Sequence, residues 1–204
     1  QVDRGDMRLS LDTRLIGFLA DTKEADDDGV GDLKERRFDF GFASPELGVG
    51  FGYTVIDGLV IGGRLGFAFS STKADPDGDD NNTKTREFGI RIMPYLEYAF
   101  NLGKVAPFVT ATLGFRNELV NTIGYETEGD PYEKEVTNAF VFAGGGGAHF
   151  FLVDAFSIDL TGLIGGEAGG YTIKRDIGIG GANEDDYGYR AFAFTVLAGI
   201  SGWL

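Results

Sequence analysis

Tyr187-Gly-Tyr-Arg-Ala-Phe-Ala-Phe-Thr-Val-Leu-Ala-Gly-Ile-Ser-Gly-Trp-Leu204 ends the chain, and its alternation decides the fold. Phe192, Phe194, Val196, Ala198, Ile200, Gly202 and Leu204 fall on one phase of a two-residue period. Ala193, Thr195, Gly199 and Ser201 fall on the other, with Arg190 and Ala191 at the phase boundary. Alternation over this length is a β-strand signal, and the strand is longer than the roughly five or six residues usual in soluble proteins. A last strand of this kind leaves a row of unpaired backbone groups, and the first strand is its natural partner.

The rest of the chain repeats the pattern. The first candidate strand, 7–20, sets Met7, Leu9, Leu11, Leu15 and Leu19 against Arg8, Ser10, Asp12 and Arg14. The second, 38–55, changes phase partway: Phe38, Phe40 and Phe42 are even-numbered, whereas Leu47, Val49, Phe51 and Tyr53 are odd. A one-residue β-bulge at Ala43-Ser44-Pro45 accounts for the slip, and proline is tolerated there. Ile56-Asp57-Gly58 is a tight hairpin turn into a third strand carrying Leu59, Ile61, Leu65, Phe67 and Phe69. The fourth, 86–100, sets Phe88, Ile90, Ile92, Leu96, Tyr98 and Phe100 against Glu87, Gly89, Arg91, Tyr95 and Glu97. In the fifth, Val109, Leu113 and Phe115 oppose Thr110, Thr112, Gly114 and Arg116. The sixth sets Phe140, Phe142, Ala148, Phe150 and Leu152 against Gly145, Gly147 and His149. In the seventh, Phe156, Ile158, Leu160 and Ile164 oppose Ser157, Asp159, Thr161, Gly165 and Glu167. Polar connections at 21–37, 72–85, 117–135 and roughly 171–186 alternate with short turns. The fold class predicted is all-β: an eight-stranded antiparallel up-and-down transmembrane β-barrel with every long connection at one end.

Composition narrows the classes. The 204 residues read as one domain, 1–204, with 1–6 as a short N-terminal tail. No run of about 18 apolar residues exists to make a transmembrane helix. The opening Gln-Val-Asp-Arg-Gly-Asp is consistent with a mature end left after removal of a signal peptide. The absence of cysteine fits a bacterial envelope protein and decides little. A net charge of −14 argues against nucleic acid, whose phosphates need a basic patch. The 33 glycines are about twice the average usage, and many lie inside the strand runs.

Alternation alone does not say which phase faces inward. A water-facing phase carries many Lys and Glu, but here the polar phase is dominated by Gly, Ala, Ser and Thr. Small residues suit the interior of an eight-stranded barrel, which is only just wide enough to be filled by side chains. The Phe, Leu, Ile and Val of the other phase are too bulky for it and are assigned to lipid. Aromatics gather towards both strand ends. Phe38, Phe69, Phe88 and Phe115 lie near the long connections; Phe51, Tyr53, Tyr98, Phe100, Phe150, Phe156 and Trp203 lie near the short turns. Two interfacial girdles are expected from them.

The last strand, with its Ala198-Gly199-Ile200-Ser201 run, resembles the C-terminal strand of bacterial outer-membrane barrels, although Leu204 stands where a terminal Phe is usual. Strand count, loop asymmetry and the glycine-rich run from Ala143 to Phe150 extend the resemblance to the OmpA/OmpX-like family of eight-stranded barrels. The resemblance implies a bacterial outer-membrane location, with outer-membrane lipid and lipopolysaccharide as surroundings. It is nearly silent on activity, because such barrels serve as adhesins, anchors, channels and lipid enzymes.

Candidate functional residues fall into two sets. The inward charges are Arg8, Asp12, Arg14, Glu46, Arg64, Glu87, Arg91, Glu97, Arg116, Asp159 and Glu167, with Arg190 a further candidate. They suit either a charged pore or an interlocked plug. The narrow lumen and the cost of unpaired buried charge favour the plug. The acidic runs Asp26-Asp27-Asp28-Gly29-Val30-Gly31-Asp32 and Asp75-Pro76-Asp77-Gly78-Asp79-Asp80 loosely resemble Ca²⁺-binding loops. Asp26, Asp28, Asp32, Asp75, Asp77 and Asp79 are weak metal candidates, since the closing Glu is lacking, and the bland reading is a solvated acidic loop. No other cofactor is expected. His149, the single histidine, reads as a satisfied lumen residue, because no partnered hydroxyl adjoins it in sequence. The function expected is a non-enzymatic barrel with a structural or interaction role, offering its acidic external loops to a protein partner. A narrow channel for small or hydrophobic solutes and a lipid-modifying enzyme are the alternatives.

Overall fold

The computed structural model describes residues 2–25, 34–41, 46–74, 83–124, 132–176 and 182–204. Its strands are β1 (Met7–Ala25), β2 (Lys34–Gly41), β3 (Glu46–Ile56), β4 (Leu59–Ala74) and β5 (Thr83–Ala99). They continue with β6 (Val105–Gly124), β7 (Tyr132–Val153), β8 (Phe156–Asp176) and β9 (Ala182–Trp203). Both β2 and β3 pair antiparallel with β1, one beyond the other, so together they make a single stave. Each later strand pairs with the next, and β9 returns to β1. The result is a closed up-and-down barrel of eight antiparallel staves.

The two halves of the second stave, β2 and β3, are not in one continuous register with β1. Along β1 the pairing moves from Thr13 to Gly17 while the partner moves from Leu47 back to Gly41, so the partner carries extra chain. The expected bulge at Ala43-Ser44-Pro45 lies outside the described residues. On its other side, β1 has a register shift between Arg14 and Ile16.

The strands also run further than the apolar alternation. β1 reaches Ala25, β4 Ala74, β6 Gly124 and β8 Asp176, well into the expected polar connections. Backbone pairing does not need an apolar face once the sheet is set. Polar cross-strand contacts take over there: Asn117 Nδ2 donates to Asn138 at 2.7 Å and Thr172 Oγ1 to Asp186 at 2.6 Å. Such pairs each contribute a few tenths to about 1 kcal/mol.

Following hydrogen-bonded neighbours round the barrel measures the stagger of the strands. The row starts at Leu11 and passes Val49, Leu65, Ile92, Phe115, Phe140, Ala168 and Arg190. It comes back to β1 at Thr22, far above its starting point. Strands of a closed barrel must tilt in this way. A row of residues therefore climbs as it goes round.

The bulky phase faces outward. Leu47, Phe51, Ile92, Leu113, Phe142 and Ile200 are all exposed in the isolated chain. An apolar belt of this extent is tolerated only where lipid covers it. The short-turn end is drawn together by the N-terminal segment. Gly58, at φ 81°, donates its N–H to the Val2 carbonyl at 3.0 Å, and the Val2 N–H donates to Asn101 Oδ1 at 3.0 Å. Val2 is fully buried and packs with Val60, Tyr95, Ala99, Ala106, Phe108, Phe151 and Trp203. Gly62 is needed here, because an added Cβ would strike the Tyr95 ring and the Phe51 carbonyl.

Leu113→Arg places a charge on the lipid face near mid-belt and is expected to cost about 2–4 kcal/mol. Leu102→Arg, in a short turn beyond the belt, is expected to cost at most about 1 kcal/mol. Urea unfolding in phospholipid vesicles measures both, and equal losses would contradict a lipid belt.

Candidate functional site

Among the described residues the lumen gathers charged side chains from β1, β4, β5, β6, β7 and β8. Arg8 of β1 lies at its short-turn end and is 3% exposed. Its Nη1 donates to both oxygens of Glu97 on β5, at 2.9 and 3.0 Å. Its Nη2 donates to Asp159 of β8 at 3.1 Å, and its Nε to Ser201 of β9 at 3.0 Å. His149 of β7 sits between the same carboxylates. Nδ1 is 2.7 Å from Asp159 and Nε2 is 3.0 Å from Glu97. Carboxylates accept only, so the imidazolium, with both nitrogens donating, satisfies this arrangement. Ser157 and Ser201 hydroxyls donate to Asp159, and Trp203 Nε1 donates to Ser157 at 3.0 Å. Phe108 stacks on His149 with centroids 4.4 Å apart, and the Arg8 guanidinium lies 5.3 Å from the Trp203 ring. This cluster closes on the apolar layer around Val2.

A second cluster lies towards the long connections. Arg116 of β6 meets Glu167 of β8 at 2.7 Å, pairs with Glu118, and donates to the Tyr189 hydroxyl at 2.9 Å. Arg91 of β5 reaches Glu167 at 3.6 Å. Between the clusters, Arg64 Nε approaches Asp12 Oδ2 at 2.9 Å. That contact is an ion pair. A cavity remains at this level. Asp12, Arg14, Arg64 and Arg91 line one side, and Val141, Leu163 and Leu197 line the other.

Arg8, Arg14, Arg64, Arg91 and Arg116 thus share the lumen with Asp12, Glu87, Glu97, Glu118, Asp159 and Glu167. Low-dielectric burial makes such pairing obligatory, because breaking one buried pair costs about 3–5 kcal/mol.

Among the residues assigned to the lumen from the sequence, Arg8, Asp12, Arg14, Arg64, Glu87, Arg91, Glu97, Arg116, Asp159 and Glu167 lie on the inner phase. For Glu46 only the backbone is described, paired with Ala68. Arg190 is a correction: it is exposed and shares the outer phase with Phe192. Trp203 is a second correction. It is 4% exposed and lies inside the barrel, because it is one residue out of phase with the lipid-facing Ile200, Gly202 and Leu204. Phe51, Tyr53, Tyr98, Phe100 and Phe150 are on the outer face, and Phe156 is half-buried. Glu118, Tyr189, Ser157 and Ser201 join the site without having been candidates from the sequence. Glu118 shares the parity of Arg116, and only an early strand end hides it. The acidic-run residues Asp26, Asp28, Asp32, Asp75, Asp77 and Asp79 lie outside the described residues. Among the described residues no group of His, Asp or Glu is arranged to hold a metal ion.

The Ser–Asp–His contacts invite a catalytic reading. Both imidazole nitrogens are taken by carboxylates, however, and both hydroxyls donate to Asp159. A nucleophile needs its base within hydrogen-bond reach, and the described contacts include no hydroxyl–imidazole pair. The cluster is built to neutralise charge.

The apolar belt, the closed ring of strands and the charged lumen define a transmembrane β-barrel of the bacterial outer-membrane type, OmpA/OmpX-like in its eight staves. Comparison with solved structures agrees on the fold. The chain is similar to the outer membrane protein OprG from Pseudomonas aeruginosa, at 11% identity over 99% of this chain and 97% of that one, with a TM-score of 0.52. It is similar also to a major outer membrane protein from Thermus thermophilus, at 12% identity over 93% and 99% of the two chains, with a TM-score of 0.54. No protein-family model and no curated sequence matches the chain.

Arg8→Met leaves Glu97 and Asp159 without their shared guanidinium and is expected to cost about 3–5 kcal/mol. The double change Arg8→Met with Glu97→Leu removes one orphan and is expected to regain part of that loss. Unfolding in vesicles reads the difference; a double variant no better than the single would show that the pair is not its source.

Proposed function

We propose that this protein is a non-enzymatic barrel of the bacterial outer membrane with a closed lumen and a structural or interaction role. Its acidic external segments are the surface it offers to a partner, and outer-leaflet lipid, lipopolysaccharide included, is its surroundings. The observation that carries the reading is the closure of the short-turn end. The Arg8, Glu97, Asp159 and His149 cluster spans β1, β5, β7 and β8, and Val2 is fully buried in the apolar layer with Val60, Phe108 and Trp203. An eight-stranded lumen is narrow enough for side chains to fill. The channel reading needs a continuous water path across both layers. The lipid-enzyme reading needs a free base beside a hydroxyl, which the described contacts of His149 do not provide.

In planar lipid bilayers the purified chain is expected to give no steady single-channel openings. Arg8→Ala with Glu97→Ala opens only the charged layer, so the apolar layer around Val2 is expected to keep that variant closed as well. Regular openings from the unaltered chain would overturn the closed lumen.

A further inference from the structure

The chain is acidic overall, with 18 Lys and Arg against 32 Asp and Glu, yet one outward patch is basic. The last row that is apolar on all four of the strands β4 to β7 is Phe69, Phe88, Leu119 and Val136, side by side, with Ile123 and Tyr132 further along the same phase. The next outward row is Ser71, Arg86, Asn121 and Lys134, and Lys84 projects one outward position beyond Arg86. Strand alternation sorts the charges. Glu87 falls on the lumen phase beside Arg86, and Glu133 and Glu135 fall on it to either side of Lys134. Among the described residues no acidic side chain pairs with Lys84, Arg86 or Lys134, whereas the neighbouring Lys174 meets Glu184 at 2.8 Å.

This position is where a lipid bilayer places its headgroups, directly above the apolar belt and its aromatic rim. Strands lie about 4.8 Å apart, so Arg86 and Lys134, two strands apart, are separated by about 10 Å. Flexible cationic side chains at that spacing converge on one phosphate, for which Arg supplies a forked donor and Lys a point charge.

We propose that Lys84, Arg86 and Lys134, around Asn121, form a docking surface for the phosphate of an anionic lipid in the external leaflet. The proposal rests on the outer-membrane orientation given above and is independent of whether the lumen conducts. Charge complementarity selects the occupant: a phosphate headgroup meets three cations at its own depth, while the acyl chains lie on Phe88 and Leu119 below.

The test places the full chain in phosphatidylcholine nanodiscs holding equal amounts of phosphorylated and dephosphorylated lipid A, and counts retained lipid by native mass spectrometry. The unaltered chain is expected to keep the phosphorylated form preferentially. K84Q/R86Q/K134Q is expected to weaken that retention by about fivefold per cation, on the order of a hundredfold in all. K84R/K134R is expected to preserve it, and K104Q, at the opposite rim, to leave it unchanged. Equal retention of both lipids by the unaltered chain, or undiminished retention by a folded triple variant, overturns the proposal. Complete displacement by millimolar inorganic phosphate overturns the lipid as occupant. If the triple variant fails to fold, the preference of the unaltered chain and of K84R/K134R still decides.

Discussion

Lipid offers a backbone no hydrogen bonds, so a sheet that spans a membrane must pair every strand on both sides. Here that requirement rests on β1 and β9. Their register runs from Arg8 opposite Trp203 to Ala25 opposite Tyr187, through one irregularity between Arg14 and Ile16. The ends are fastened as well, since Met7 and Leu204 exchange both backbone hydrogen bonds. Once this seam is closed, each residue is committed to lipid or to lumen by parity alone. The rest of the molecule follows from the division.

On the lumen side the constraint is volume and charge together. Glycines on the inner phase let the walls approach and make room for long side chains. A Cβ at Gly147 would meet the Leu160 carbonyl and the Phe108 ring, and that ring is the one stacked on His149. Large side chains then come from only a few positions, and the charged ones must find partners across the barrel. Arg8 does so with residues from β5, β8 and β9 at once. Such a network adds little net stability over an apolar filling. Its consequence is that side chains from opposite walls hold one another in place.

Much of this is legible in the chain itself. Phe192, Phe194 and Ile200 announce a lipid face by their spacing, and the Arg, Asp and Glu of the opposite phase announce the lumen. The departures have physical causes. An aromatic near a strand end suggests a girdle position for Trp203, although its parity puts it with Ser201, and parity wins because a strand cannot turn one side chain over without a bulge. Glu118 escapes a reading that ends the strand where apolar alternation stops, while backbone pairing continues to Gly124. The convergence of His149, Ser157 and Ser201 on Asp159 depends on the registers of β7, β8 and β9. No single stretch encodes that meeting, so an absence of hydroxyls beside His149 in sequence says nothing about its surroundings.

Arg190 shows how tilt and parity act together. It faces outward, in a row whose other members include Leu65, Ile92, Phe115 and Phe140, and a charge among such neighbours would be costly in lipid. The row climbs as it passes from β3 to β9, however, and regains β1 only at Thr22. Arg190 therefore stands higher than Leu65, towards the long-connection end. The same climb lifts Lys134 above Arg86 and Lys174 above Lys134 along their shared row. Among the described residues of β5 to β9, the outward cations Lys84, Arg86, Lys134, Lys174 and Arg190 thus stand towards the long-connection end. Sequence position alone cannot give that height, because residues equally far from their turns lie at different depths on different strands.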